Sequence, residues 1–111
     1  MVLGMRETTY FILAALQDEP RHGYAIIQQA SALSGGRIRL ATGTLYTALD
    51  RLTGSGHIRV VEEQIVNGRA RRSYELTRAG RSALEQHAEQ LAAAARIVTE
   101  RRVIRMAVRP A

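Results

Sequence analysis

The chain contains no cysteine. Disulfides and thiolate metal sites are therefore excluded, and a reducing compartment, the cytoplasm, is the expected location. It also lacks any long apolar run. The stretch from Tyr10 to Leu16 is too short to cross a bilayer, and Met1 to Arg6 does not place a basic segment ahead of an apolar one, so neither a membrane partner nor a secretory leader is expected. Catalytic and metal constellations are missing too. His22, His57 and His87 stand far apart with no acid at ligand spacing, the serines sit in no nucleophile motif, and Gly35-Gly36 lacks the Lys-Ser/Thr of a phosphate loop. Neither an enzyme nor a cofactor is expected.

Lysine is absent as well, since all 16 cations are arginine. Either the bidentate chemistry of guanidinium toward phosphate and guanine, or a genome biased toward G and C, accounts for this. The balance of 16 basic against 10 acidic residues gives a charge of +6 and a pI near 11.0, which favours an anionic partner such as nucleic acid. At 111 residues the chain is expected to hold one modest core, in a size range where a dimer interface is a common supplement.

The segment Ala41 to Gly56 organises the rest. Leu45, Leu49 and Leu52 recur on one helical face with Ala48 beside them, which turns Gly43, Thr47, Asp50 and Arg51 the other way. Thr42 and Thr44 stand where an N-cap is expected, and Gly54 and Gly56 where a left-handed stop is expected. Ahead of it, residues from about Glu7 to Gln17 read as a largely buried helix, broken by Pro20. A second helix starts at about His22 or Gly23, carries Tyr24, Ile27, Ala30 and Leu33 on one face, and closes at Ser34-Gly35-Gly36. Arg37-Ile38-Arg39-Leu40 alternates polar and apolar and is expected to form a stub of strand.

After Gly56 the period changes from helix to strand. His57 to Val66 and Ala70 to Thr77 flank Asn67-Gly68, a strong hairpin signal. A three-residue tip, Asn67-Gly68-Arg69, is expected to oppose Val66 to Ala70. The preferred pairs are Ile58 with Leu76, Val60 with Tyr74, Glu62 with Arg72, Arg59 with Glu75 and Glu63 with Arg71, because they match charges and gather the apolar residues at the base. Arg69 is then left at the tip without an acid opposite. The last segment opens with Thr77 as N-cap and continues as a long helix. Leu84, Leu91 and Val98, seven apart with Ala88 and Ala95 between them, form a small-residue seam. If it reaches Arg102 this helix has about 25 residues and a length of ~37 Å, more than the small body needs. Val103 to Ala111 is read as a last turn or two or a frayed basic tail.

Helix, helix, third helix, hairpin and trailing helix is the order of a winged helix-turn-helix, mainly α with a β-hairpin wing. The residues resemble the PadR family of bacterial transcriptional regulators. The likeness is carried by His22-Gly23-Tyr24, by Gly43-Thr44-Leu45-Tyr46 with Leu49 and Arg51-Leu52, by Gly56-His57-Ile58, and by Gly68, Arg71-Arg72, Tyr74, Leu76-Thr77 and Gly80, spanning about Arg6 to Leu84. It implies a DNA-binding domain over residues 1–77, a dimerisation helix and basic tail over 78–111, and a homodimeric repressor with recognition helices in successive major grooves. Thr47 departs from the family's frequent proline. Gly54 and His57 replace Glu-like and Leu-like residues, from which a looser helix end is expected. Some relatives capture flat aromatic compounds between tryptophans; this chain has no tryptophan, so that mode does not carry over.

The expected DNA contacts are Thr42, Gly43 and Thr44 toward phosphates at the helix start, Tyr46 and Thr47 toward backbone or base edges, Arg51 on the flank, and Arg69 and Arg71 on the wing. The same threonines can instead cap, Tyr46 can pack, and Arg71 and Arg72 can serve as exposed cross-strand ion pairs. Asp50 opposes a uniformly DNA-facing surface and is expected to hold Arg51 or to read a cytosine amino group. Leu84, Ala88, Leu91, Ala95 and Val98 are the expected dimer contacts. Tyr10 and Phe11 are either core or the lining of a small-molecule effector pocket. The competing reading is a winged-helix interaction module that binds a protein or ligand without DNA.

Overall fold

The computed structural model describes residues 5–107; the first four and last four residues of the sequence readings above lie outside it. Four helices and a small sheet follow in the order α1 (Glu7–Ala15), β1 (Arg21–His22), α2 (Gly23–Leu33), α3 (Thr42–Gly54), β2 (Ile58–Val66), β3 (Arg69–Leu76) and α4 (Arg78–Ala107). Each of the first three helices buries one apolar stripe in a shared centre: Ile12 and Leu13 from α1, Ile26 from α2, and Leu45, Leu49 and Leu52 from α3. Ile58, Tyr74 and Leu76 at the base of the wing and Leu84 from α4 close it. Full burial of one such aliphatic side chain contributes about 2 kcal/mol, so the leucine stripe of α3 fixes that helix firmly on the body.

The helix ends follow local chemistry. His22 caps α2, its Nδ1 accepting from the Ala25 N–H at 3.3 Å. At the other end of α2, the Gly36 N–H reaches Ser31 O at 2.7 Å and the Gly35 N–H reaches Ala32 O at 3.2 Å, a Schellman stop with Gly35 at φ 66°. The end of α3 repeats this with Gly56 at φ 79° and the His57 N–H on Leu52 O at 3.0 Å. Thr53 and Ser55 add side-chain bonds to Leu49 O and Leu52 O. The expected loosening at Gly54 and His57 therefore does not occur. Thr77 caps α4 as expected, its Oγ1 accepting from the Gly80 N–H at 3.1 Å.

Two expectations about the sheet are corrected. Residues 37–40 form no strand: the Ile38 N–H is taken by Ser34 Oγ at 2.8 Å and not by a neighbouring strand. The short strand that does join the wing is Arg21–His22, paired with Tyr74 and Ser73, so the sheet order is β1-β3-β2. The side chain of Arg21 is tied to the end of α1 through Ala15 O at 2.8 Å, which places β1 against β3.

The second correction concerns the hairpin. Its tip is a two-residue turn with Val66 opposite Arg69, Asn67 at φ 53° and Gly68 at φ 76°, the two positive φ values of a type I′ turn. The base pairs are nevertheless those expected, Ile58 with Leu76, Arg59 with Glu75 and Val60 with Tyr74. A regular ladder continued from a Val66–Ala70 pair would set Val60 opposite Leu76, so the expected tip and base were mutually incompatible. The chain reconciles base and tip with a β-bulge at Val61. Beyond it the partners shift by one: Glu62 faces Ser73, Glu63 faces Arg72 and Gln64 faces Arg71.

α4 runs for 30 residues, about 45 Å at the standard rise. It continues through Val103 to Ala107, well beyond the body. The radius of gyration is 17.8 Å, against roughly 13 Å for a compact chain of this length. The excess is the projecting half of α4, where Ile97, Val98, Val103, Ile104 and Met106 are all more than 60% exposed. No helix among the described residues is long and apolar enough to cross a membrane.

Candidate nucleic-acid interface

α3 presents its first turn to solvent because burying Leu45 and Leu49 turns Thr42, Gly43, Thr44, Tyr46 and Thr47 outward. The N-cap is Ala41, which offers no side-chain acceptor, so neither Thr42 nor Thr44 acts as the cap. The first helical bond is Leu45 N–H to Ala41 O at 3.0 Å. The N–H groups of Thr42, Gly43 and Thr44 have no acceptor among the described residues. Three outward N–H groups and the positive end of the helix dipole form a ready site for an anion.

Two clefts flank this turn. One, about 540 Å³, lies between the start of α2, the middle of α3 and the wing, and is lined by His22, Tyr24, Tyr46, Asn67, Arg69 and Arg71 among others. Gly23 packs under it: a Cβ there would stand 2.7 Å from Tyr46 Oη, so a larger residue would have to push the tyrosine ring aside. The other, about 370 Å³, brings Arg6 and Thr8 to Gly43, Thr44, Thr47 and Arg51. Among the described residues, no carboxylate lines either one.

The register decides which wing arginines stand unpaired. Arg72 approaches Glu63 at 3.5 Å, and Arg59 meets Glu75 at 2.8 Å. Arg71 faces Gln64, not Glu63 as expected, so it joins Arg69 with no acid partner among the described residues. Arg71 also acts on His22, whose pKa is lowered from 6.5, first by burial and then by that neighbouring charge. Arg51 makes no ion pair with Asp50; its Nη2 donates to Thr9 Oγ1 at 2.8 Å.

The remaining candidates separate along α4. Leu84 is 4% exposed within the chain's own core, whereas Ala88 and Leu91 are half-buried and Ala95 and Val98 are exposed. Tyr10 and Phe11 are half-buried and line a cavity of about 280 Å³ with His87, Leu91 and Arg37. Their rings meet edge to face at 5.4 Å, and Tyr10 lies 5.3 Å from His87. No cluster of metal-binding side chains is found among the described residues. Arg6, Thr8, Tyr24 and strand β1 were not singled out as site elements from sequence. The His22-Gly23-Tyr24 triplet was the signal for two of these, but it marked the family and not the groove.

Comparison with known proteins agrees with this fold. A transcriptional regulator of Mycobacterium tuberculosis is 41% identical over 87 residues, covering 78% of this chain and 78% of that protein. An uncharacterised 37.1 kDa protein of a Streptomyces fradiae transposon is 44% identical over 81 residues, of which the match spans 22%. Among solved structures, Bacillus subtilis PadR in complex with operator DNA matches with a TM-score of 0.63 at 26% identity, over 72% of this chain and 46% of that one. A PadR-like transcription factor from Bacteroides fragilis matches with 0.69 at 29%, over 83% and 86%. Residues 12–86 match the model of the transcriptional regulator PadR-like family, and the chain belongs to that family of winged-helix transcriptional regulators.

Proposed function

We infer that the protein binds operator DNA as a homodimer and represses transcription. The observation that carries this is the groove where Tyr46 of α3, His22 and Tyr24 at the start of α2, and Arg69 and Arg71 of the wing converge without a carboxylate. In this reading the free N–H groups of Thr42, Gly43 and Thr44 hold a phosphate, and Tyr46 and Thr47 reach base edges in the major groove. Arg69 and Arg71 follow the backbone toward the minor groove, and Arg51 supports the α1 side. The DNA-bound relative from Bacillus subtilis supports the choice of duplex DNA as partner.

Dimerisation is assigned to α4. The projecting helix leaves Leu91, Ala95 and Val98 with apolar surface that a second copy would cover, with Ala88 beside them and Leu84 supporting from the core. The cavity at Tyr10 and Phe11 touches Leu91 on this helix, which suits it to a small-molecule effector that alters how the two copies pack. A cytoplasmic regulator without catalysis follows from the same reading.

The test is retardation of genomic fragments, the chain's own promoter included, against random duplex over a salt series. A specific, protected, two-fold-related site with steep salt dependence is expected. Equal retardation of every duplex, or of none, would leave the fold as an interaction module.

A further inference from the structure

The chain contains a single asparagine, and glycine follows it: Asn67-Gly68, the turn at the tip of the wing. An asparagine ahead of glycine is the amide most open to attack by its own backbone, because no Cβ on the next residue shields the attacking nitrogen. Here that nitrogen is free. The Gly68 N–H donates no hydrogen bond among the described residues, both tip residues are exposed, and a Cβ on Gly68 would meet nothing within 4 Å.

Little holds the tip shut. Beyond the bulge at Val61 neither strand touches the core, since residues 62–65 of β2 and 69–72 of β3 are exposed throughout. Attack requires the peptide between Asn67 and Gly68 to rotate out of its turn, and a ribbon without core contacts opens at low cost.

We propose that Asn67 is a self-modification site, an amide that the wing converts to a carboxylate without an enzyme. The Gly68 nitrogen, having given its proton to water, bonds to Asn67 Cγ; the Cγ–Nδ2 bond breaks, Nδ2 leaves as ammonia, and a cyclic imide closes. Water then opens the ring. Opening at Cγ gives aspartate and opening at the main-chain carbonyl gives isoaspartate, the ring nitrogen regaining its proton in either case. The sum is balanced: an amide and a water become a carboxylate and an ammonium ion.

The product matters because of where it lies. Asn67 lines the groove shared by Tyr46, Arg69 and Arg71, whose wall holds no carboxylate among the described residues. Either product puts one there, beside two arginines that have no acid partner among those residues. Aspartate tolerates the left-handed backbone at φ 53° and keeps the turn. Isoaspartate adds a main-chain carbon to a loop that pairs Val66 with Arg69, and so breaks the two-residue tip. Both products weaken DNA binding, a consequence that rests on the DNA-binding reading.

The experiment is incubation of the full chain in warm, mildly alkaline buffer, followed by intact mass and by peptide mapping that resolves aspartyl from isoaspartyl forms. The time that fully converts a short unstructured peptide carrying Val66 to Arg69 sets its length. Most of the chain should then carry the mass of an acid in place of an amide, mapped to residue 67 as a mixture of both forms. Asn67→Gly, which suits the positive φ of the turn, should gain no such mass. A chain still mostly amide at residue 67, aspartate without isoaspartate, or an equal gain in Asn67→Gly overturns the site.

In a second arm, the incubated chain should bind a retarded duplex several-fold more weakly than the fresh chain, with the slope of log K against log salt reduced by about one. Asn67→Asp should reproduce the change in slope without incubation, and the affinity of Asn67→Gly should be the same before and after it. An equal decline in Asn67→Gly overturns the coupling to DNA. If no duplex is retarded, the DNA-binding reading fails while the mass still decides the modification.

Discussion

Gly80, in the first turn of α4, packs directly on the backbone of His57: a Cβ built on Gly80 would overlap the His57 carbonyl oxygen. That carbonyl also accepts the Thr77 N–H, and the Thr77 hydroxyl donates to Gly56 O at 2.5 Å. The end of α3, the start of β2 and α4 are thereby fixed to one another at a point where only glycine fits.

Gly80→Ala is accordingly expected to destabilise the chain by about 2–3 kcal/mol, because the opposing atom is backbone and cannot rotate away. Urea unfolding should show a lower midpoint with an unchanged slope. A midpoint equal to that of the unaltered chain would mean that α4 can shift its docking freely.

Wing contacts are separable by salt dependence. Arg69→Ala and Arg71→Ala should each reduce the slope of log K against log salt by about 0.9, and the double variant by about twice that. Arg72→Ala, whose guanidinium is paired with Glu63, should leave the slope near its starting value. If Arg72 carried the loss and Arg71 did not, the tip register would be wrong.

Leu84 and Leu91 lie seven residues apart yet should fail differently. Leu84→Ala opens a hole in the domain core and is expected to cost about 3 kcal/mol. Leu91→Asp, at a half-buried position on the projecting side, should leave the fold intact and yield monomers with weak operator affinity. Sedimentation of the Leu91 variant together with thermal unfolding of both separates the two roles. A Leu91→Asp dimer would move the interface elsewhere.

His22 should make stability sensitive to mild acid. Its folded pKa lies below 6.5 through burial and then the charge of Arg71, and its Nδ1 must be unprotonated to accept from Ala25. A group with a depressed folded pKa contributes stability that is present above the unfolded value of 6.5 and is lost as pH falls through the folded value. Melting temperatures between pH 7.5 and 5 should therefore fall more in the unaltered chain than in His22→Asn, which retains a capping oxygen that does not titrate. Parallel curves would remove His22 from the cap.

Much of this molecule could be read without coordinates because its signals are local. The spacing of Leu45, Leu49 and Leu52, the glycine stops at Gly35 and Gly56, the Thr77 cap and the hairpin signal of Asn67-Gly68 all act within a few residues, and each produced the element expected, although the hairpin tip has two residues and not three. The outward first turn of α3 and an Arg69 with no acid opposite were legible. Arg71 was assigned to an acid it does not face, and Arg6 and Thr8 could not be seen, since their places depend on how α1 crosses α3.

The sequence by itself determined the order of the four helices and the hairpin, the outward face of α3 and a trailing helix longer than its body. Tertiary structure alone decided the wing register, the pairing of Arg51 with Thr9 and the burial of Leu84. The wing makes the reason plain. Asn67-Gly68 demands a two-residue tip, while the helices beneath demand that Ile58, Tyr74 and Leu76 face the core. These demands differ by one residue, local propensity cannot weigh one against the other, and the folded chain satisfies both by setting Val61 aside in a bulge.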